Sequence, residues 1–257
     1  MIVLSRAQYE AYRKMLNIPA DTKEWSMLDC CFDSPLHQAE FVVDRLDGPK
    51  SAAIILGDFV FLFGEKNRPF LTELLSKRQT SILMAEEEYL QLAQEIFPKT
   101  KRYFRYKMSF QGSLTQLTQW TKSFPQRYCL EAIDEKWFEE CKKQEWMKDF
   151  CSQFSNYRDY QQYGLGFLLT KEGCALSGAS SYLISRKGLA IQVQTAPEEE
   201  GKGYATLVSA ALIAKALEEG KYPDWDADNE TSAHLAQKLG YYLEKRYPTV
   251  MIENEMI

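Results

Sequence analysis

The sequence predicts a mixed α/β protein whose sheet is mostly antiparallel. Three observations support this fold class. Apolar segments of strand length between residues 164 and 195 are joined by short turns that end in glycine, which favours an antiparallel meander. A segment rich in alanine and leucine, 204–219, follows this meander and stops at Gly220, as helices do before a left-handed glycine. Finally, one order of elements occurs twice along the chain.

The second half of the chain predicts one strand, a helical region, the meander, and then alternating helices and strands. The spacing of apolar residues and the glycine and asparagine residues between segments set the limits. In chain order, the predicted elements are a strand at 127–133, helices within 134–154, strands at 164–170, 174–185 and 188–195, a helix at 204–219, a strand at 222–227, a helix at 230–240 and a strand at 241–252.

The first half repeats the order of three strands, helix, strand, helix and strand after an amphipathic opening helix at 1–16. The predicted elements are strands at 41–46, 51–56 and 58–64, a helix at 68–77, a strand at 80–85, a helix at 86–97 and a strand at 101–110. The segment 111–126 contains Gly112, several Gln and Thr residues, and Pro125, which is typical of a linker. We therefore expect a first domain at 1–115, a linker at 116–126 and a second domain at 127–257.

The composition argues against several classes of partner and location. The formal net charge is -5, so the chain has no basic field for nucleic acid or for an anionic membrane surface. No apolar run approaches the roughly 20 residues that cross a bilayer, and the first residues lack the apolar core of a signal peptide. We expect a cytoplasmic protein. Its six cysteines form no Cys-x-x-Cys pair and only two histidines accompany them, so we expect reduced thiols and no metal site.

The stretch at 196–206, APEEEGKGYAT, lies between the last strand of the meander and the long helix. Gly201 and Gly203 allow a sharp bend and a close approach of a ligand to the backbone. A dinucleotide-binding loop needs a third glycine where Thr206 stands and a βαβ unit around it, and a Walker loop needs a glycine where Ala196 stands. Neither of these phosphate-binding designs fits.

The loop and the segments after it resemble the GNAT superfamily of acyl-CoA-dependent N-acetyltransferases, whose signature is Gln/Arg-x-x-Gly-x-Gly/Ala. The likeness covers roughly 127–257 and is strongest over 191–241. There, four features occur in the order seen in the bacterial branch that includes zwittermicin-resistance acetyltransferases. They are a strand ending in Thr195, the Gly-x-Gly pair, Pro-x-Trp-x-Ala-x-Asn at 223–229 and Ser-x-x-Leu-Ala-x-Lys-Leu-Gly-Tyr at 232–241.

The resemblance implies a C-terminal GNAT fold preceded by a degenerate GNAT-like N-terminal domain. In the first half, GEKNRP at 64–69 stands where the second half has its glycine loop. Pro69 has no N–H to donate to a pyrophosphate, so we expect this copy to bind no cofactor and to wall part of the acceptor pocket. The alternative is an unrelated α/β domain that shares the element order by chance.

The resemblance also implies acetyl-CoA as cosubstrate, with the pyrophosphate of coenzyme A on the backbone N–H groups from Glu200 to Tyr204. A helix N-terminus favours such an anion. The pantetheine would run beside the strand at 188–195 as an added strand does. For Asn229 and Ser232, helix capping and contact with pantetheine are equal alternatives. The candidate cofactor-binding residues are Val193, Gln194, Thr195, Glu200, Gly201, Lys202, Gly203, Tyr204, Ala205, Thr206, Asn229 and Ser232.

Two departures from the family pattern bear on catalysis. Glu198 stands where the signature has Gln or Arg, and Glu200 stands where Arg often precedes the first glycine, so carboxylates would repel a pyrophosphate. Lys202 is the only local counter-charge. Ala236 stands where many members place a tyrosine that protonates the leaving thiolate, so the usual general acid is missing.

We expect an acetyl-CoA-dependent N-acetyltransferase that acetylates the amine of a small molecule by direct attack on the thioester. The catalytic residues are unassigned, although Asp226 and Asp228 lie where the sulfur of the cosubstrate is expected. The alternative is an acyl-CoA-binding or protein-interaction module with little or no turnover. Expected partners are the small amine and, in a homodimer, a second copy of the chain, but neither nucleic acid nor a membrane.

Overall fold

Contacts divide the chain into two units. In the computed structural model, the described residues are 1–19, 26–122 and 127–254. The first unit comprises Met1–Arg105 with Tyr247–Ile257, and the second comprises Tyr106–Arg246. Both boundaries fall inside long strands, so the last strand of each predicted repeat is divided between the two ranges. The final part of the predicted linker, 123–126, lies outside the described residues, as does 255–257 at the end of the predicted second domain.

In the first unit, a short opening strand and the three strands of a meander pair antiparallel, and the last of them pairs parallel with a further strand. Its elements are β1 (Ile2–Val3), α1 (Tyr9–Met15), α2 (Asp29–Asp33), β2 (Ala39–Val43), β3 (Ser51–Leu56), β4 (Phe59–Gly64), α3 (Arg68–Ser76), β5 (Thr80–Met84), α4 (Glu87–Ile96) and β6 (Thr100–Phe110), which continues into the second range. β2 pairs antiparallel with both β1 and β3, β3 pairs antiparallel with β4, and β4 pairs parallel with β5. All six residues of β3 are buried, as expected of a strand covered on both faces.

The second unit repeats this arrangement with more helices before its meander. Its further elements are α5 (Leu114–Lys122), β7 (Cys129–Ala132), α6 (Glu135–Cys141), a 3-10 helix (Glu145–Phe150), α7 (Tyr157–Tyr163), β8 (Gly166–Lys171), β9 (Cys174–Ile184), β10 (Gly188–Thr195), a 3-10 turn (Pro197–Glu199), α8 (Tyr204–Glu218), β11 (Tyr222–Ala227), α9 (Glu230–Lys238) and β12 (Tyr241–Glu253). β7, β8, β9 and β10 pair antiparallel in sequence, and β10 pairs parallel with β11.

The two units share one module, in which three antiparallel strands lead through a helix to a parallel strand. The strand β5 that ends this module in the first unit pairs antiparallel with β12, at Thr80–Leu83 and Val250–Glu253. In the second unit, β11 pairs antiparallel with β6, at Trp225–Ala227 and Tyr106–Met108. The predicted fold class, mixed α/β with a mixed sheet, is confirmed.

The helix α8 organises the core of the second unit. Its small side chains let it lie close to the sheet, and its larger ones fill the space between them. Val208 and Leu212 pack on Leu169 of β8 and Ala179 of β9, and all four are fully buried. This packing fixes the position of the N-terminus of α8 relative to β10.

Two local expectations are wrong, and one helix was not predicted. The opening segment begins as β1, which pairs with β2, and becomes α-helical only at Tyr9, because Ile2 and Val3 have a strand partner. Residues 116–122 of the predicted linker belong to α5, whose Leu117 is buried against α8 although most of its other side chains are exposed. The helix α7 was not predicted, and Asn156 caps it by accepting a hydrogen bond of 2.9 Å from the N–H of Asp159.

Replacing Leu117 with alanine should lower the free energy of unfolding by about 2–5 kcal/mol, because a fully buried leucine leaves a cavity against α8. Leu114→Ala, at an exposed position of the same helix, should cost less than about 1 kcal/mol. Chemical denaturation of both variants measures the difference. Equal small effects would contradict the packing of α5 as a structural helix.

Candidate active site

The strands β10 and β11 separate after three paired residues. Gly188–Ala190 pair parallel with Tyr222–Asp224, and no further pairing joins the two strands within the described residues, although both continue. On its other side, β10 remains paired with β9, with a one-residue register shift between Ala190 and Ile191. The partners of these two residues are Leu183 and Ser181, so the extra residue of this bulge is Tyr182 of β9. Alternate N–H and C=O groups of Ile191–Thr195 therefore face the side from which β11 has diverged.

The loop after β10 enters α8 through two left-handed glycines. Gly201 and Gly203 have φ angles of 76° and 81°, a region that favours glycine. Gly203 is the N-cap of α8 and has no side chain to accept hydrogen bonds from the first turn. A Cβ added to either glycine would meet nothing within 4 Å. Within the described part of the chain, no backbone carbonyl accepts from the N–H groups of 200–203, so these donors are available to a ligand.

The loop is acidic, and its lysine is already paired. Lys202 Nζ lies 2.7 Å from Glu199 Oε2 and 3.3 Å from the carbonyl oxygen of Glu198. The side chains of Glu198 and Glu200 are exposed. An anion at this helix N-terminus is therefore attracted by backbone donors and the helix dipole, and is repelled by nearby carboxylates.

Two tyrosines connect the first residue of α8 to the segment before β7. The hydroxyls of Tyr204 and Tyr128 share a hydrogen bond of 2.8 Å, and the ring centroids are 5.4 Å apart. This hydrogen bond lowers the pKa of Tyr128 and raises the pKa of Tyr204 to about 12. Arg127 and Lys171 lower the pKa of Tyr128 further. The guanidinium carbon of Arg127 is 5.0 Å from the centroid of the Tyr128 ring, so positive charge lies beside this phenol.

The start of α9 lies next to the end of β11. Asn229 caps α9, because its Oδ1 accepts a hydrogen bond of 2.9 Å from the N–H of Ser232. Ser232 Oγ in turn accepts a hydrogen bond of 3.1 Å from Trp225 Nε1. Ala236, one turn further along α9, is fully buried. The position at which the resemblance implies a tyrosine thus holds no proton donor.

Polar side chains follow the face of the sheet opposite α8. Trp225 packs with residues of α8, so the aspartates at alternate positions of β11 point to the other face. Continuing the register of the parallel pair places Asp226 level with Gln192 of β10. Asp226 also lies opposite Lys107 in β6, and Lys107 donates a hydrogen bond of 2.9 Å to Glu244 Oε1. This face offers carboxylate and amide oxygens beside the diverging strands.

The equivalent helix N-terminus of the first unit is capped. Asn67 precedes α3, and its side chain accepts a hydrogen bond of 3.1 Å from the N–H of Phe70. Pro69 occupies the second helical position and has no N–H. The second unit presents open backbone N–H donors at the start of α8. At the start of α3 in the first unit, one backbone N–H is already hydrogen-bonded and another is missing.

In the first unit, a tyrosine of α4 contacts the chain where β4 ends. β4 and β5 also pair over only three residues, Phe59–Phe61 with Ile82–Met84. Tyr89, the third residue of α4, directs its hydroxyl to the carbonyl oxygens of Glu65 and Phe63, at 2.5 and 3.3 Å. The third residue of α9 in the second unit is Ser232. A bulky phenol thus contacts the diverging chain in one unit, and the third residue of the later helix in the other unit carries only a small hydroxyl.

The described residues hold neither a metal cluster nor a membrane-spanning helix. The described ranges contain no group of three or more His, Cys, Asp or Glu residues placed to hold a metal ion. None of the helices in those ranges has the length and apolar character needed to cross a bilayer. The cysteines are free thiols, and those at 30, 31, 141 and 151 are buried.

An antiparallel meander, a parallel pair that diverges, and a helix that starts at the divergence define the fold of the acetyltransferases that the sequence resembles. The chain belongs to the GNAT acetyltransferase family, whose model matches residues 13–250. It is accordingly a transferase of the N-acetyltransferase type, and the predicted superfamily is confirmed.

Three known proteins are similar to this chain in sequence or in structure. The uncharacterized N-acetyltransferase YdfB of Bacillus subtilis (strain 168) is 28% identical over 96 residues, 37% of each chain, so the match spans little more than a third of that relative. A GCN5-related N-acetyltransferase-like protein from Streptococcus suis 89/1591 is 28% identical, with a TM-score of 0.85 over 96% of this chain and 99% of that one. A tandem GNAT protein from the clavulanic acid biosynthesis pathway is 13% identical, with a TM-score of 0.59 over 98% and 97% of the chains, and shares the fold.

The structure brings most of the predicted cofactor-binding residues to one place. Those at 193–195 end the part of β10 that β11 leaves, those at 200–203 form the loop, and those at 204–206 form the first turn of α8. The N–H of Thr206 donates to the carbonyl of Gly203 at 3.2 Å, so it is already bonded. Sequence reasoning missed Tyr128, since nothing local links it to a residue 76 positions away.

Replacing Tyr128 with phenylalanine should lower the pKa of Tyr204 from about 12 towards the ordinary tyrosine value, because the hydrogen bond between them is the main cause of the shift. NMR titration of protein labelled with ¹³C in its tyrosine rings measures this pKa, with the Tyr204 signal identified by its loss in Tyr204→Phe. The exposed Tyr242→Phe serves as control and should leave the pKa of Tyr204 unchanged. An unaltered Tyr204 titration in Tyr128→Phe would show that the pair does not form.

Proposed function

We propose that this protein transfers the acetyl group of acetyl-CoA to the amine of a small molecule. The observation that carries the proposal is the separation of β11 from β10 beside the uncapped N-terminus of α8. Pantetheine amides can pair with an open strand edge, and a pyrophosphate can accept hydrogen bonds from a helix N-terminus. Membership of the branch that includes zwittermicin-resistance acetyltransferases, a cytoplasmic location and a homodimeric state remain predictions from the sequence.

The residues of the loop fit the pyrophosphate of coenzyme A. Their N–H groups lack backbone acceptors among the described residues, and the space where a Cβ would lie on Gly201 and Gly203 is open. In this proposal the backbone from Glu200 to Ala205 holds the pyrophosphate and Val193, Gln194 and Thr195 lie along the pantetheine. Asn229 and Ser232 bound the same space from α9, while also capping the helix and holding Trp225.

Acetyl-CoA supplies a thioester, and the chain supplies position and polarisation. The neutral amine nitrogen forms a bond to the carbonyl carbon, the C–S bond breaks, and its electron pair leaves on sulfur. N–H groups of β10 polarise the carbonyl, and the shared site replaces a bimolecular encounter by an oriented one. Because Ala236 carries no donor, the sulfur leaves as a thiolate, and the proton lost by the amine passes to water or to a carboxylate.

The polar face of the diverging strands supports an amine as acceptor. Gln192 and Asp226 lie at one level on the two strands, and Asp228 follows the end of β11. Carboxylates attract the ammonium form of an amine and can accept its proton. We therefore propose that the acceptor amine binds on this face and that its nitrogen lies beside the carboxylate of Asp226.

Release of free thiol from acetyl-CoA in the presence of a panel of small amines tests this function. Turnover with any amine that exceeds hydrolysis supports it. Calorimetric binding of coenzyme A without turnover would favour the alternative of an acyl-CoA-binding or protein-interaction module, a reading supported by Ala236 and the acidic loop. Absence of both binding and turnover would overturn the proposal.

Replacing Gly203 with glutamate should abolish binding of coenzyme A, because the side chain enters the open space over the loop and adds a negative charge beside the pyrophosphate. Gly220→Glu is the matched control. Gly220 ends the same helix, has a φ of 71° and is equally open, so it imposes the same backbone strain away from the loop. Calorimetry should show loss in the first variant and retention in the second. Equal affinities would remove the loop from the binding site.

Coenzyme A should titrate to one site per chain. In the first unit, Asn67 already bonds a backbone N–H of the helix N-terminus, and Pro69 has no N–H to offer. The hydroxyl of Tyr89 bonds the carbonyl of the chain after β4. Calorimetric stoichiometry near one for the unmodified chain, and no residual binding in Gly203→Glu, is the expected result. A stoichiometry of two would mean that the first unit also binds the ligand.

A further inference from the structure

The loop of the proposed site does not supply a cation for the phosphates of its ligand. Lys202 is paired with Glu199 at 2.7 Å, and Glu198 and Glu200 add negative charge around it. Backbone donors can hold the pyrophosphate, which is divalent and spread over several oxygens. Coenzyme A also carries a ribose 3′-phosphate, a monoester with about 1.5 to 2 negative charges at neutral pH. This group needs positive charge from outside the loop.

Positive charge lies on the other side of Tyr204. Its hydroxyl bonds Tyr128 at 2.8 Å, and Arg127 lies over the ring of Tyr128 at 5.0 Å. The antiparallel register of β7 and β8 pairs Cys129 with Thr170, so its continuation sets Lys171 opposite Tyr128. The tyrosine pair therefore joins the first turn of α8 to a place where two cations converge.

Neither cation has a close ion pair within the residues that the structure describes. Lys171 Nζ is 4.0 Å from Glu172 Oε1, and its side chain is 42% exposed. Arg127 is exposed and lies over the ring of Tyr128. Both guanidinium and ammonium groups bind phosphate well, the first through paired N–H donors and the second as a point charge.

We infer that Arg127 and Lys171 form a binding site for the 3′-phosphate of the acyl-CoA, with Tyr128 holding Arg127 beside the first turn of α8. The inference rests on the proposed function. It assigns the two kinds of phosphate to two kinds of donor: the pyrophosphate to backbone N–H groups and the monoester to side-chain cations. The site would select coenzyme A thioesters over analogues that lack this phosphate.

Calorimetry with coenzyme A and with 3′-dephospho-coenzyme A tests the inference. The unmodified protein should bind coenzyme A about three to ten times more tightly, a preference that shrinks as salt is added. Arg127→Gln and Lys171→Gln should each reduce the affinity for coenzyme A several-fold, as expected for loss of one exposed charge contact, and leave that for the dephospho compound unchanged. Lys187→Gln is the control, because it removes the same charge beside the start of β10, at the opposite end of this strand from the loop.

Each outcome decides between distinct readings. If the unmodified protein binds both compounds equally, or if Arg127→Gln and Lys171→Gln weaken both compounds alike, the phosphate site is wrong while the proposed function stands. If the unmodified protein binds neither compound, the proposed function fails and this site fails with it. If Arg127→Gln and Lys171→Gln match Lys187→Gln in every measurement, the two cations interact with Tyr128 but do not bind the 3′-phosphate.

Discussion

The separation of β10 from β11 after Ala190 is the constraint on which the rest of the site depends. An unpaired strand edge inside a sheet leaves backbone donors and acceptors without partners, which is costly unless a ligand or water satisfies them. The register of β10 against β9 shifts by one residue after Ala190, and the packing of Trp225 under α8 and α9 holds β11 in place. The opening is thus built from backbone geometry, and a ligand that can act as a strand would complete the sheet.

The two units differ at the residues that would decide whether this module can hold the proposed ligand. Both contain a meander, a short parallel pair and a helix between the paired strands. In the first unit, Asn67 bonds the helix N-terminus and Tyr89 bonds the chain that follows the divergence. In the second unit, the helix between the paired strands has Gly203 as its N-cap, with no side chain to bond the first turn, and the third residue of the next helix is the smaller Ser232. A few positions at the ends of helices, rather than the fold itself, separate an open module from a closed one.

The sequence predicted most of the elements but not their partners. Local signals such as the glycines at 201 and 203, the N-cap Asn229 and the helix end at Gly220 depend on nearby residues, so they could be identified from the chain alone. The pairing of β5 with β12 and of β11 with β6 is long-range and has no local signal. The helix α5 was missed because its three threonines have weak helix preference and because the contact of Leu117 with α8, which stabilises it, is long-range.

The alanine at 236 matters less for the proposed reaction than its place in the family pattern implies. A thiol has a pKa of about 8.5, so a thiolate leaves readily near neutral pH without being protonated as the C–S bond breaks. An alkyl ammonium resembles that of lysine, with a pKa of about 10.4, so most of the acceptor must lose a proton before it can attack. The demanding proton transfer is therefore the one from the amine. In the proposed site the carboxylate of Asp226 lies on the face where that amine would bind, and the position of Ala236 on α9 carries no donor.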